Sequence, residues 1–181
     1  MFGNHESEKS IILRMGIIMS KLLILGAGQY GAVAKEIAES IGIYDAISFL
    51  DDNSPAAIGR INDYSKYLDE YDMAIVAIGN SVIRAELIEK LETAGYAIPV
   101  LIHPRAYVSP SAVIDKGTIV EPMAIIHTDV KVGAGCIISA GTIINHNAVV
   151  GNVCHLNCGT IICARTIVDD STKTDCGQII E

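Results

Sequence analysis

Three of the five histidines, His127, His146 and His155, are candidates for acid–base catalysis. A neutral imidazole takes up a proton near pH 7, so a histidine at the edge of a rigid scaffold is a candidate general base. His146 is the strongest candidate, at the fifth place of the hexapeptide TIINHN; His155 follows nine residues later, and His127 precedes it by 19 residues. The other two are predicted to be non-catalytic, because His103 precedes a proline at a domain junction and His5 lies in a dispensable tail.

A glycine cluster near the start of the chain is a candidate nucleotide site. Gly26, Gly28 and Gly31 form the pattern G-x-G-x-x-G between an apolar strand and a helical run. Asp51 lies 20 residues beyond Gly31, at the end of the next strand. Glycines let backbone N–H groups approach a phosphate, the helix N-terminus adds partial positive charge, and a carboxylate accepts hydrogen bonds from a ribose. The alternative is a tight strand–helix turn without a ligand.

The five cysteines all lie in the last 46 residues, and they form two pairs with equal spacing. Cys136 and Cys154 are 18 residues apart, as are Cys158 and Cys176. If three hexapeptides complete one coil, the members of each pair stack on neighbouring coils, about 4.8 Å apart. The odd number argues against a disulfide framework, and reduced thiols point to the cytoplasm. A zinc site at Cys154, His155 and Cys158 is the rival interpretation; stacking of small residues is preferred, and no metal is expected.

A repeat of six residues must position the histidines. Twelve hexapeptides and a partial thirteenth run from Ala106 to the end of the chain, and their third place is aliphatic everywhere except at Thr174. Neither the period of a helix nor that of a strand gives this pattern, which predicts a β-solenoid with the aliphatic residues in a narrow core. Second-place aliphatic residues would make apolar patches on its flat sides, which predicts a trimer. Examples are Ile125, Ile137, Ile143 and Val149.

The first half of the chain alternates strands and helices. Buried apolar strands are predicted at 21–25, 46–50 and 73–79, with helices at 32–41 and 81–94, followed by a short strand in the stretch AIPVLIHP. This order predicts a parallel α/β sheet. It amounts to one mononucleotide-binding half, which fits a nucleotide-sugar better than NAD. The predicted organisation is an N-terminal extension at 1–20, a Rossmann-like domain at 21–103 and the solenoid at 104–181.

Bulk properties exclude several classes of function. The formal charge of −8 over 181 residues argues against general binding to nucleic acid or to an anionic membrane. The apolar stretch IILRMGIIM near the start is too short to cross a bilayer, so no membrane insertion is expected. It is not followed by a small-residue cleavage site. We therefore expect Met19 to be the first residue that matters.

Several motifs together resemble the NeuD-like family of sugar acyltransferases, which includes the bacterial PglD-type N-acetyltransferases acting on UDP-4-amino sugars. The resemblance covers about 21–181. It rests on the GAG-x-x-G opening, FLDD at 49–52, AIGN-x-x-IR at 77–84, LIHP-x-A at 101–106 and IINHNAVVGNVCHLNCGT at 143–160. The resemblance implies a left-handed parallel β-helix, a homotrimer, and direct transfer of acetyl from acetyl-CoA.

The resemblance also implies roles for single residues. His146 matches the catalytic base, with Asn147 beside it, and His155 matches the histidine at the thioester end of acetyl-CoA. Cys176 is assigned to acetyl-CoA binding as well. The residues that match the nucleotide-sugar pocket are Gly28, Gln29, Tyr30, Asp51, Asp52 and Gly79.

The chain departs from the family pattern at several points. Asn147 stands where the family usually has Asp or Glu, which would stabilise imidazolium by charge. A turn at this corner would bring its side chain beside the ring of His146. Tyr30 replaces a frequent histidine, and Asp175 stands where the family tends to have glycine. Family members continue for roughly two more coils, so the solenoid is expected to be C-terminally truncated at Glu181.

The predicted function is acetyl-CoA-dependent acetylation of a nucleotide-activated amino sugar of the UDP-4-amino-sugar type, by a cytoplasmic enzyme. Three alternatives remain. One is a sugar O-acetyltransferase that acts on a hydroxyl, as in sialic acid. Another is a non-catalytic trimer that binds a nucleotide-sugar, which Asn147 and the short C-terminus favour. The third is a nicotinamide oxidoreductase, suggested by the glycine pattern alone.

Overall fold

The computed structural model describes residues 20–181. The expectations for the N-terminal extension, including those for His5 and Met19, fall outside these residues. Within the described part, no helix is long and apolar enough to cross a membrane.

The first part is a four-stranded parallel sheet with helices packed against it. The strands follow the order β3-β2-β1-β4, and every neighbouring pair is parallel. The central strand β1 is apolar and buried because both faces of the sheet are covered. The elements are β1 (Ser20–Leu25), α1 (Gln29–Ile41), β2 (Tyr44–Leu50), β3 (Ala57–Gly59), a 3₁₀ helix (Ile61–Tyr67), β4 (Met73–Val76) and α2 (Ser81–Ala94).

The last strand predicted for this sheet forms differently. In the stretch AIPVLIHP, Ala97 makes a single bridge to Met73, and β5 (Leu101–Ile102) pairs with the solenoid instead. The edge of the sheet is formed by β3, a three-residue strand that the sequence did not predict. Short edge strands carry too little hydrophobic periodicity to be recognised from sequence.

The second part is a parallel β-helix of three sheets, as the hexapeptide repeat predicted. Two-residue strands pair with strands 18 residues away, so three hexapeptides complete one coil. The first sheet contains β5, β8, β11 and β14, the second β6, β9, β12, β15 and β17, and the third β7, β10, β13 and β16. Their bounds are β6 (Tyr107–Val108), β7 (Val113–Ile114), β8 (Ile119–Val120), β9 (Ile125–Ile126), β10 (Lys131–Val132), β11 (Ile137–Ile138), β12 (Ile143–Ile144), β13 (Val149–Val150), β14 (His155–Leu156), β15 (Ile161–Ile162), β16 (Ile167–Val168) and β17 (Ile179–Ile180).

The corners of the solenoid have a regular backbone conformation. The sixth place of the hexapeptides from 117 to 177 has positive φ at every repeat. Glycine adopts this conformation freely, and Asn or Asp tolerates it, whereas a β-branched residue there is strained. Five of these positions are glycine, but Met123 and Val153 hold φ of 64° and 49°.

The α/β part covers one face of the solenoid. Leu101 and Ile119 of the first sheet share a hydrophobic cluster with residues of β1 and α1. Ile137 is fully buried in the same column, so its prediction as an exposed side-chain position is wrong. The other two faces remain open: Tyr107 of the second sheet is exposed by 56%, and Ile167 of the third sheet by 74%.

Candidate functional site

The three glycines of the first loop have different physical roles. A Cβ on Gly31 would lie 2.1 Å from the carbonyl oxygen of Gly26, and a Cβ on Gly26 would lie 2.9 Å from that of Ala77. Both glycines are therefore required by close backbone packing. A Cβ on Gly28 would meet nothing within 4 Å, and its φ of −74° is ordinary. The space above Gly28 is thus open, as a ligand-facing position requires.

The same loop presents the N-terminus of α1 to this open space. Gly28 is the N-cap residue, and no side chain caps the helix there. Gly28 and Gln29 are exposed. The first N–H groups of a helix have no partner within it, so an uncapped and exposed N-terminus favours an anion.

The two aspartates predicted to hold the nucleotide follow β2. The Asp51 carboxylate accepts backbone N–H groups from Ala27 at 2.8 Å and from Asn53 and Ser54, both at 2.9 Å. These hydrogen bonds, with the one from Ala27 the strongest, lower the pKa of Asp51. Asp52 makes only one long contact, to the N–H of Ile61 at 3.3 Å. Asp51 therefore shapes the loop, and Asp52 keeps more free acceptor capacity.

A cleft of about 360 Å³ lies between the two parts of the chain. One wall is the β4–α2 loop with the start of α2, where Asn80 caps the helix by accepting the N–H of Ile83 at 3.1 Å. A Cβ on Gly79 would meet nothing within 4 Å, so this predicted site residue also faces open space. The cleft is lined by Gly79, Asn80, Ser81, Val82, Val153, His155, Ser171 and Lys173.

Tyr30 and His155 meet beside this cleft, although the sequence assigned them to different ligands. Their ring centroids are 6.2 Å apart. Tyr30 Oη and His155 Nδ1 are both buried and without a hydrogen-bond partner. Buried polar atoms of this kind usually have a water or a ligand as partner. The α/β part thus brings its glycine loop directly against the solenoid histidine.

Burial shifts the protonation of both side chains. Desolvation is the largest cause that lowers the pKa of His155 to about 4, and the positive charges of Lys173 and Arg84 lower it further. Desolvation, followed by the nearby Glu121, raises the pKa of Tyr30 well above its ordinary value. At neutral pH the pair is therefore a neutral imidazole beside a neutral phenol. Such groups exchange hydrogen bonds with a polar ligand without adding charge.

His146 and Asn147 lie at the corner between the second and third sheets. Both are exposed, and His146 Nδ1 is 3.0 Å from Asn147 Oδ1. Asn147 has a φ of 60°, and this turn brings adjacent side chains to the same side. An amide oxygen accepts hydrogen bonds, so this contact requires the proton on Nδ1 and leaves the second ring nitrogen free to accept a proton. His127 is half-buried and belongs to the same corner one coil earlier, because its backbone N–H donates to the carbonyl oxygen of Ile144.

The structure does not bring His146 and the α/β loops together within one chain. In a three-sided coil, the corner between the second and third sheets is opposite the first sheet. The first sheet carries the α/β part and His155. The predicted base and the predicted nucleotide pocket therefore lie on opposite sides of a single protomer.

The cysteines divide into core and surface positions. Cys136 and Cys154 are buried and stacked, with sulfur contacts to carbonyl oxygens of the solenoid. Cys158 and Cys176 are exposed at a corner of the first and second sheets. Because Cys154 is inside the core, it does not converge with His155 and Cys158 on a zinc ion. Among residues 20–181, no three His, Cys, Asp or Glu side chains are grouped to hold a metal.

One central residue of the site, Arg84, received no role from the sequence. It is fully buried on the inner stripe of α2, together with Leu87, Ile88 and Leu91. Burial lowers the pKa of Arg84, but an arginine stays charged. The sequence did contain one signal for Arg84, which is its position on the apolar face of α2. A cation placed there needs buried hydrogen-bond partners.

Comparison with known proteins agrees with this architecture. Residues 21–91 match the PglD N-terminal domain. The chain is 32% identical over 111 residues to UDP-N-acetylbacillosamine N-acetyltransferase of Bacillus subtilis. That match covers 56% of this chain and 51% of the relative, so the chain matches about half the length of this curated relative.

Solved structures of two proteins extend the likeness over nearly the whole chain. The acetyltransferase domain of PglB from Neisseria gonorrhoeae has a TM-score of 0.79 and 29% identity, covering 90% of this chain and 91% of that one. The same domain has been solved with acetyl coenzyme A, with a TM-score of 0.78. A mutant of perosamine N-acetyltransferase from Caulobacter crescentus has a TM-score of 0.83 at 20% identity, covering 91% of this chain and 90% of that chain, which shows the shared fold.

A parallel α/β half-domain joined to a hexapeptide β-helix defines the class of the protein. The PglD N-terminal domain matches its first part, and the acetyltransferases above match most of its fold. The chain is thus similar to NeuD/PglD-like sugar acyltransferases, and its likeness to the solved structures confirms the predicted left-handed β-helix.

Proposed function

We propose that this protein transfers acetyl from acetyl-CoA to the amine of a nucleotide-activated sugar. The observation that carries the proposal is the contact of the Tyr30 loop with His155 beside the cleft. A nucleotide bound above Gly28 would hold its sugar toward the solenoid wall. The 29% identity to an acetyltransferase domain solved with acetyl coenzyme A supports the donor. The relative from Bacillus subtilis supports a UDP-amino sugar as the acceptor.

We propose further that the complete site forms between copies of the chain in a homotrimer. His146 and the nucleotide loop are on opposite sides of one protomer, so a neighbouring copy is needed to bring them together. The two open faces of the solenoid, formed by the second and third sheets, support this assembly because they expose apolar side chains. Their exposed side chains include Tyr107, Val113, Val149, Ile167 and Ile179.

In the proposed reaction the sugar amine attacks the thioester carbonyl. The C–N bond forms, the C–S bond breaks, and His146 takes the amine proton and returns it to the CoA thiolate. Asn147 orients the imidazole through the 3.0 Å contact. His155, neutral because of its low pKa, can steady the oxyanion by an N–H hydrogen bond. Holding both substrates in one cleft supplies much of the rate.

The direct test is transfer of radiolabelled acetyl from acetyl-CoA to a set of UDP-amino sugars. We expect product with at least one of them, and we expect His146→Ala to lower kcat about 10²–10⁴-fold with little change in substrate affinity. Full activity of His146→Ala would refute the assignment of the base. Nucleotide-sugar binding without transfer to any acceptor would favour the non-catalytic trimer.

The acceptor atom and the compartment are part of the same proposal. A sugar hydroxyl is the second acceptor class, and hydroxylamine treatment of the labelled product separates the two, since it cleaves esters and leaves amides.

The five free cysteines support a reducing compartment such as the cytoplasm.

A further inference from the structure

Arg84 joins the two walls of the cleft through the two ends of one guanidinium group. Nη1 donates to the carbonyl oxygens of Ile78 at 2.7 Å and Gly79 at 3.1 Å, in the β4–α2 loop. Nη2 donates to Val153 at 2.7 Å and Cys154 at 3.4 Å, at the solenoid corner. Gly79 and Val153 line opposite walls of the cleft. One planar side chain therefore spans the floor between them.

The remaining contact fixes the orientation of the guanidinium. Nε donates to the carbonyl oxygen of Gly135 at 2.6 Å, one coil before Val153. Arg84 is fully buried, and each of its recorded hydrogen bonds ends on a backbone carbonyl rather than a carboxylate. Carbonyl dipoles thus compensate the charge. Because these acceptors belong to the backbone, the contact fixes the path of the chain itself.

The solenoid wall held by Arg84 is also strained. Val153 is β-branched and has a φ of 49°, a conformation that costs of order 1–3 kcal/mol for such residues. Its carbonyl accepts from Arg84, and its N–H donates to Ala134 at 2.7 Å. Two residues later, His155 reaches the cleft. A change in the path at Val153 would therefore move the His155 side chain.

We propose that Arg84 is a positioning residue that sets the separation and alignment of Gly79 and His155. This inference rests on the proposed function, in which these residues serve the nucleotide-sugar and the acetyl donor. Arg84 is fully buried, so it is not placed to touch either substrate. Its planar fork holds two walls at once, whereas the compact ammonium of lysine, on a flexible stem, cannot reproduce that geometry.

The test is Arg84→Lys, with Arg105→Lys as the matched control at an exposed arginine near the first coil. Hydrogen–deuterium exchange is measured on peptides covering 77–83 and 151–157, where the N–H groups of Ile83 and His155 are hydrogen-bonded. We expect Arg84→Lys to speed exchange about tenfold in both peptides, and in neither β1 nor the second sheet, as expected for local opening. The control should leave all peptides unchanged.

Activity supplies the second measurement. Where the wild-type protein transfers acetyl, Arg84→Lys should lower kcat about 10- to 100-fold, because small displacements of reacting groups are costly. The dissociation constants of the two substrates, each measured alone, should change less than about twofold, since each half-site stays intact.

Three results would overturn the inference: unchanged exchange in both peptides, a uniform rise over the whole chain, or an unchanged kcat in an active protein. The uniform rise would mark Arg84 as a general stability residue. If the wild-type protein transfers no acetyl, the proposed function fails, and the exchange measurement still decides whether Arg84 aligns the two walls. Arg84→Met serves only as a comparison, because it removes the Arg84 donors from the carbonyl oxygens of Gly135, Ile78 and Val153.

Discussion

Replacing Asn147 by Asp adds a carboxylate beside the proposed base without changing the shape of the side chain. Asn147 Oδ1 is 3.0 Å from His146 Nδ1, and Asp would keep an oxygen at this position. The backbone also permits the change, because φ is 60° at residue 147 and Asp tolerates this region. The longer Glu is expected to fit less well, since its carboxylate would have to fold back over the turn.

The size of the effect follows from charge and exposure. Two unit charges about 3 Å apart in water attract by roughly 1.4 kcal/mol from Coulomb's law, which is an upper limit for an exposed pair. Measured exposed ion pairs contribute about 0.2–1 kcal/mol. The carboxylate favours the imidazolium that forms as the proton is transferred, so Asn147→Asp should raise kcat about 1.4- to 5-fold.

The assay is the initial rate of acetyl transfer at saturating substrates, at low and at high salt. Asn147→Gly is the control, because glycine adopts positive φ freely and removes the side chain that orients the ring. It should lower kcat, and the gain in Asn147→Asp should shrink as salt screens the charge. A rate for Asn147→Asp at or below that of Asn147→Gly would refute the orienting role of residue 147 and leave the base assignment standing.

Three further predictions concern other parts of the molecule. The folded-state pKa of His155 is about 4, against 6.5 for an unperturbed histidine, so the unfolded chain binds more protons between these pH values. The free energy of unfolding, measured by urea denaturation, should therefore fall as the pH drops from about 6.5 to about 4. In His155→Asn this dependence on pH should be weaker. Met123→Gly relieves a positive φ on an exposed side chain and should stabilise the fold by about 0.5–1 kcal/mol, whereas Gly141→Ala, which has room for a Cβ but a φ of 71°, should destabilise it by about 1 kcal/mol; equal unfolding midpoints would contradict this. Gly28→Ala should fold normally and lose nucleotide-sugar affinity in calorimetry, while Gly31→Ala should unfold more easily because of its 2.1 Å backbone clash.

The repeating part of the fold was predictable because its physics is local and periodic. The aliphatic residue at the third place of each hexapeptide specifies the inward side of each two-residue strand. The 18-residue pairing follows from three such strands per coil. The exception, Thr174, is where the regular strand is lost, and its hydroxyl accepts the N–H of Asn157 instead. The glycine loop was partly predictable for the same reason, since Gly31 packs against the backbone of Gly26, which lies only five residues earlier.

The docking between the two parts was not predictable from the sequence. Ile137 resembles the other second-place residues in type and spacing, and only the cover of the α/β part buries it. The contact of Tyr30 with His155 joins residues far apart in the chain. Arg84 satisfies its donors on carbonyl oxygens, which every residue possesses, so no partner side chain marked the site in the sequence.

The 18-residue coil also determines which insertions the chain can accept. Each hexapeptide turns the chain by one third of a revolution. Adding six residues before β14 would rotate every later rung to the next face and move His155 away from Tyr30. Adding 18 residues would restore each rung to its own face and shift it only along the axis, by about 4.8 Å. The solenoid fold therefore tolerates length changes in whole revolutions, whereas any other insertion also changes the face on which each later rung lies.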